Sequence, residues 1–128
     1  MFDELAHLAE ALSVLGHLTA RSHDAVAAMG ERLSAPIVTA AMVKAGLPAV
    51  FVDARKVNIT SDEHGRAEPL ADDIALACRE HLAPLVRDGK VPVVGGYIGA
   101  TRAGVTTTLG RGGSDYSASL FGAAMEAE

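Results

Sequence analysis

Two short apolar runs constrain the fold of this chain more than any other feature. "PAVFVDA" (48–54) and "VPVVGG" (91–96) are rich in β-branched and aromatic residues and do not alternate with polar ones. Each is bounded by turn formers, so each reads as a strand buried on both faces, the pattern of parallel sheets covered by helices. Between them, residues from Ala71 to about Val86 place Ala71, Ile74, Ala75, Cys78, Leu82 and Leu85 on one helical face, with Asp72 and Asp73 in the first turn. A first helix is expected over residues 3 to about 15, with Asp3 as N-cap and Leu5, Leu8, Leu12 and Leu15 recurring at three- and four-residue steps. A second is capped by Ser22 or Asp24 and interrupted at Gly30. A third starts at Ser34–Pro36 and ends at Gly46, unless the chain continues through Pro36 with a kink. Residues 58–70 read as a loop with a turn at "TSDEHG", and 114–127 as a last helix after a Gly-rich connection. The expectation is one α/β domain over 1–128, three-layer αβα with a mainly parallel sheet.

Composition narrows the function classes. Apolar residues make up 49% of the chain and aromatic ones 4%, so the core is built from small aliphatic side chains. The net charge of −5 without a Lys/Arg cluster argues against nucleic acid and anionic membranes as partners. No apolar run looks long enough to span a bilayer. The N-terminus, with acids early and no basic start, does not read as a signal peptide, and the single Cys78 suits a reducing cytoplasm, the expected location.

The densest chemistry lies in "TTTLGRGGSDYSASL" (106–120). Gly110, Gly112 and Gly113 allow positive φ and close approach of backbone N–H groups to a ligand. Ser114 or Asp115 then opens a helix whose N-terminus favours an anion, and Arg111 adds a planar fork for a carboxylate or phosphate. Taken alone, Ser114 is an N-cap and Asp115 a first-turn acid; beside Arg111 and the glycines, a ligand-binding turn is the better reading. Asp115 would repel an anion, so it is expected to face a cation. "VPVVGGYIGATRAG" fails as a dinucleotide fingerprint, because Val94 stands at the first glycine position and no helix follows Gly99. It leaves Tyr97 and Gly99 at the carboxyl edge of a strand, where ligands sit in such folds, although Tyr97 serves equally as a core aromatic. Glu31 and Arg32 in "GERLSAP" read as a solvated ion pair. The five histidines show no metal-ligand spacing and read as surface or capping residues; no metal site is expected. Cys78, on an apolar helix face, reads as inert.

These motifs resemble a known family. "VPVVGGYIGATRAGVTTTLGRGGSDYSASLFGAAMEA" is similar to the aspartate kinase stretch V-P-V-V-x-G-F-x-G, a short variable loop, then T-T-L-G-R-G-G-S-D-Y-S-A. "GERLSA" followed by "GLPAVFVDARKVNITSDEHGRAEP" resembles the preceding part of the same enzymes, in the same order. The likeness runs from about residue 22 to 127. It implies a partial amino-acid kinase fold and transfer of the γ-phosphoryl of MgATP to the β-carboxylate of L-aspartate. It further implies that Arg111 holds the substrate α-carboxylate and Glu31 its ammonium group. Tyr97, Gly99 and Ser114 would line the same pocket, and Asp115 would be the catalytic organiser that orients a lysine near the transferred phosphoryl group.

Tyr97 replaces the usual Phe, and Gly95 a larger residue. The K-F-G-G-T-S strand, the W-T-D-V-D-G nucleotide-binding part and the regulatory ACT domains of the family have no counterpart in these residues. The resemblance therefore implies the central, substrate-binding portion of a catalytic domain. MgATP would serve the complete enzyme and would not bind this portion tightly; alone it is expected to be inactive and, with sheet edges uncovered, to self-associate. The alternatives are a non-catalytic amino-acid-binding or assembly module, or part of another amino-acid kinase.

Overall fold

The computed structural model describes all residues, 1–128. Its elements run α1 (Phe2–Leu15), α2 (Ala20–Ala27), α3 (Met29–Lys44), β1 (Ala49–Val52), a 3-10 turn (Ala54–Lys56), β2 (Ile59–Thr60), α4 (Ala71–His81), α5 (Ala83–Arg87), β3 (Val91–Val94), β4 (Ile98–Thr101), β5 (Thr106–Thr108) and α6 (Gly113–Ala124). The α/β class with parallel pairing holds: β1 pairs with β3 and β2 with β4, both parallel. The expected single sheet is instead two small ones, β1–β3 and β2–β4–β5. The second contains an antiparallel hairpin, Ile98 opposite Thr108 and Gly99 opposite Thr107, in the stretch read from sequence as a Gly-rich connection.

α3 packs on β1 and β3, α5 on β3, α4 on β2 and α2 on β5. One core joins Val52 and Val57 to Ile74, Ala77, Cys78 and Leu82, with Leu120 and Phe121 of α6 and Met125 just past its end packed against it. A buried side chain such as Ile74 (1% exposed) contributes about 1.5–3 kcal/mol by leaving water. A smaller core joins Ala28, at the α2–α3 junction, to Ala54 and Ile98. Cys78 is buried, and that burial pushes its thiol above the ordinary value.

Several local expectations change. Thr19, not Ser22 or Asp24, caps α2, its hydroxyl accepting from the Ser22 N–H at 3.1 Å. Met1 precedes α1, and Asp3 lies in its first turn. The α2–α3 break falls at Ala28 rather than Gly30, and α3 runs through Pro36. Pro84 ends the expected 71–86 helix, which divides at Leu82 into α4 and α5. Arg32 reaches Glu4 on α1 (3.0 Å) instead of neighbouring Glu31, because adjacent residues on a helix point apart. Ala20–Lys44 is, by length and composition, long and apolar enough to cross a membrane, contrary to the sequence reading. Here α3 packs on β1 and β3.

Candidate functional site

The site is built where β3 ends. After Val94 the chain passes Gly95, Gly96 and Tyr97 before entering β4. A β-carbon at Gly95 would sit 3.3 Å from Oε2 of Glu31, and one at Gly96 would sit 3.0 Å from Cα of Ser114. Two glycines thus let the first turn of α3, with half-buried Glu31, and the first turn of α6, with Ser114, close on the same strand end.

Tyr97 follows with φ 69°, a left-handed conformation that costs a non-glycine residue roughly 1–2 kcal/mol. Two hydrogen bonds hold it there, and a third fixes the Ser117 hydroxyl that makes one of them. Its N–H donates to Ser117 Oγ (3.1 Å), its carbonyl accepts from the Leu109 N–H (2.9 Å), and the Ser117 hydroxyl donates to the Gly113 carbonyl (2.8 Å). Its ring lies on the start of α6, where a β-carbon at Gly113 would be 3.2 Å from Tyr97 Cδ2 and 2.8 Å from Leu109 Cβ. The half-buried ring therefore packs on one side, and the backbone beneath it is clamped to the glycine turn.

Gly99 is buried in β4, and a β-carbon there would overlap the Asn58 carbonyl oxygen and lie 2.8 Å from Thr60 Cγ2. Close approach of β2 accounts for this glycine without a ligand. Gly110 and Gly112 both adopt φ 78°, and Gly112 rather than Ser114 or Asp115 stands at the N-cap of α6. Ser114 and Asp115 occupy its first turn, where N–H groups have no intrahelical acceptor. The Arg111 and Asp115 side chains are exposed and make no hydrogen bond or ion pair within the chain. The structure thus joins Glu31, Ser114 and Tyr97 through backbone packing, and leaves Arg111 and Asp115 free at the mouth of the same helix.

At the neighbouring end of β1, Asp53 is pinned by Arg55, with Nη2 to Oδ2 at 2.6 Å and Nε to Oδ1 at 3.0 Å. Burial alone raises the Asp53 carboxyl, but the hydrogen bonds and charge of Arg55, with Arg32 farther off, hold it below its ordinary value. A hollow of about 650 Å3 opens elsewhere, lined by Arg21, Ser61, His64, Thr101 and Arg102 among others, and contains none of the residues singled out above. No three His, Cys, Asp or Glu side chains stand close enough to hold a metal ion.

Sequence reasoning missed Asp24 and His64. Asp24 is fully buried and accepts from His64 Nδ1 (2.7 Å), the Gly65 N–H (3.0 Å) and the Thr108 hydroxyl (2.6 Å). His64 is therefore neither a surface nor a capping residue. The available signal was an acid between apolar positions of a helix, which read as a cap.

The pattern of the amino acid kinase family matches residues 3–128. The chain is 35% identical to lysine-sensitive aspartokinase 3 of Escherichia coli over 98% of its own length and 29% of that protein. It is 38% identical to the aspartokinase of Chlamydia muridarum over 88% of its length and 25% of that protein. Two crystal structures of E. coli aspartokinase III superpose with a TM-score of 0.82, one with lysine and aspartate bound, the other with aspartate and ADP. Each match covers 98% of this chain, at 33% and 34% identity respectively, and 29% of the crystallised chain. The chain thus spans less than a third of the length of these relatives. It belongs to the amino acid kinase family, and within it is similar to part of the aspartokinases.

Proposed function

We propose that these residues form the aspartate-binding portion of an aspartokinase, whose complete form phosphorylates the β-carboxylate of L-aspartate with MgATP to give 4-phospho-L-aspartate. The observation that carries this reading is the convergence of Glu31 and Ser114 on Gly95–Gly96 at the end of β3. It brings an anionic side chain and a helix N-terminus to one strand end, which suits a ligand bearing both an ammonium and a carboxylate. The likeness to a structure that holds aspartate supports the same assignment. In this reading Glu31 takes the ammonium group and Arg111 the α-carboxylate. In the same reading the first turn of α6 at Ser114 and the edge of Tyr97 flank the bound amino acid, and Asp115 is free to orient a lysine from outside these residues.

In this reading the magnesium nucleotide, which is commonly held by one or two carboxylates together with its own phosphates, is bound by parts of the complete enzyme outside these residues. No step is therefore assigned to that group. What these residues contribute is capture and orientation of the phosphoryl acceptor, a large share of the work in phosphoryl transfer.

Titration calorimetry with L-aspartate, L-glutamate and carbamate tests the reading: heat of binding for aspartate supports it, and preference for another compound refutes it. The chain alone is expected to form no aspartyl phosphate from ATP, read by hydroxylamine trapping; formation would contradict the division of labour. Ile37 (68% exposed) and Val43 (53%) on α3, with Phe51 (40%) on β1, leave apolar surface uncovered. Self-association at micromolar concentration follows, and a monomer by light scattering would speak against it.

A further inference from the structure

The buried carboxylate of Asp24 takes no part in the site described above. Removing such a group from water costs several kcal/mol unless it is paired and hydrogen-bonded. Its three donors explain how Asp24 (0% exposed) is tolerated, not what it does. An apolar side chain could hold α2 against β5 at least as well. What the carboxylate adds is direction, since hydrogen bonds fix distance and orientation together.

The segments it joins are informative. Asp24 lies on α2, and the chain continues through Ala28 into α3 and Glu31. His64 and Gly65 belong to the loop after β2, and the Gly65 carbonyl would lie 3.0 Å from a β-carbon at Gly110. Thr108 ends β5, three residues before Arg111, and its carbonyl accepts from the Ala67 N–H at 2.9 Å. One carboxylate therefore ties the helical arm that carries Glu31 to the turn that carries Arg111, and touches neither.

We propose that Asp24 is a positioning residue that sets the separation of Glu31 and Arg111, so that amino-acid affinity depends on the bridge from Asp24 to Thr108. This rests on the reading given under Proposed function. The probe is L-aspartate, and the variants are Thr108→Val, which keeps the β-branched shape and removes the donor, Thr108→Ser, which restores it, and Asp24→Asn. Ile74→Val, on α4, is a control that loosens the core without touching the bridge. Amide NMR of the free protein reports the positions of Glu31 and of Arg111 to Gly113, while calorimetry reports affinity.

In Thr108→Val and Asp24→Asn the Arg111–Gly113 resonances move before any ligand is added, and affinity falls about tenfold, the scale of a small misplacement of a binding group. Thr108→Ser recovers both, and Ile74→Val changes neither. Should Asp24→Asn fail to fold, the Thr108 pair decides. Wild-type affinity and unmoved resonances in Thr108→Val would overturn the proposal, as would a Thr108→Ser chain that behaves like Thr108→Val. A wild-type chain that binds no aspartate refutes the site reading itself. A wild-type chain that binds, beside a Thr108→Val chain that binds equally, refutes only the role of Asp24.

Discussion

Replacing Gly99 with Ala places one methyl group where β2 already lies. The new carbon would overlap the Asn58 carbonyl oxygen and stand 2.8 Å from Thr60 Cγ2. The first obstacle is backbone, which cannot rotate away as a long side chain can. β2 must shift against β4, weakening the Ala100 N–H bond to the Asn58 carbonyl (3.0 Å) in a parallel pairing only two residues long. Overpacking of this kind costs typically about 1–3 kcal/mol, and the strained hydrogen bond adds roughly 1 kcal/mol. A loss of about 3 kcal/mol lowers the melting temperature of a domain this size by about 10 °C. Gly122, inside α6, is the control, because a β-carbon there meets nothing within 4 Å and its φ is not positive. Gly122→Ala should stabilise by about 0.5–1 kcal/mol through helix propensity alone. Thermal unfolding by circular dichroism measures both. A Gly99→Ala chain that melts within about 2 °C of wild type would refute the packing argument.

Two other substitutable groups give independent checks. The Asp53 carboxyl is held below its ordinary value by Arg55, so the pair stabilises the fold above about pH 4, and this contribution fades as pH falls through the lowered value. Arg55→Ala should cost about 1 kcal/mol at pH 7, with the difference from wild type closing in acid; a gap in urea midpoints that is the same at pH 7 and pH 3 would contradict it. Burial raises the Cys78 thiol, so an aromatic disulfide reagent should label it slowly in the folded chain and rapidly in urea, whereas rapid native labelling would show that the α4–α6 core opens.

The parts of this fold that sequence exposes are those whose signal is local. The apolar runs at 49–52 and 91–94 announce the strands but not their burial, since Phe51 and Val91 stay exposed; the periodicity from Ala71 announces α4 up to the Pro84 break. The β4–β5 hairpin was not legible, because Gly95, Gly96, Gly99, Gly104 and Gly110 mark the stretch as a flexible connection and outweigh the strand preference of Thr106–Thr108. Asp24 illustrates the same limit. Its partners lie 40 and 84 residues away, so no window of sequence distinguishes a buried anchor from a helix cap. For the site, the glycine turn and Arg111 to Asp115 were visible as chemistry. The need for Gly95 and Gly96 appears only when α3 and α6 close on β3. The left-handed Tyr97 has no sequence mark, since its conformation is imposed by Ser117 and Leu109.

In the proposed site, two charged side chains grip opposite ends of one small molecule at the end of β3. Calorimetry with L-aspartate and with succinate, which lacks the ammonium group, tests this on wild type, Arg111→Ala and Glu31→Gln. Wild type should prefer aspartate, Glu31→Gln should lose the preference, and Arg111→Ala should weaken both ligands by about tenfold or more. Undiminished aspartate binding in both variants, with the preference over succinate intact, would contradict the proposed site.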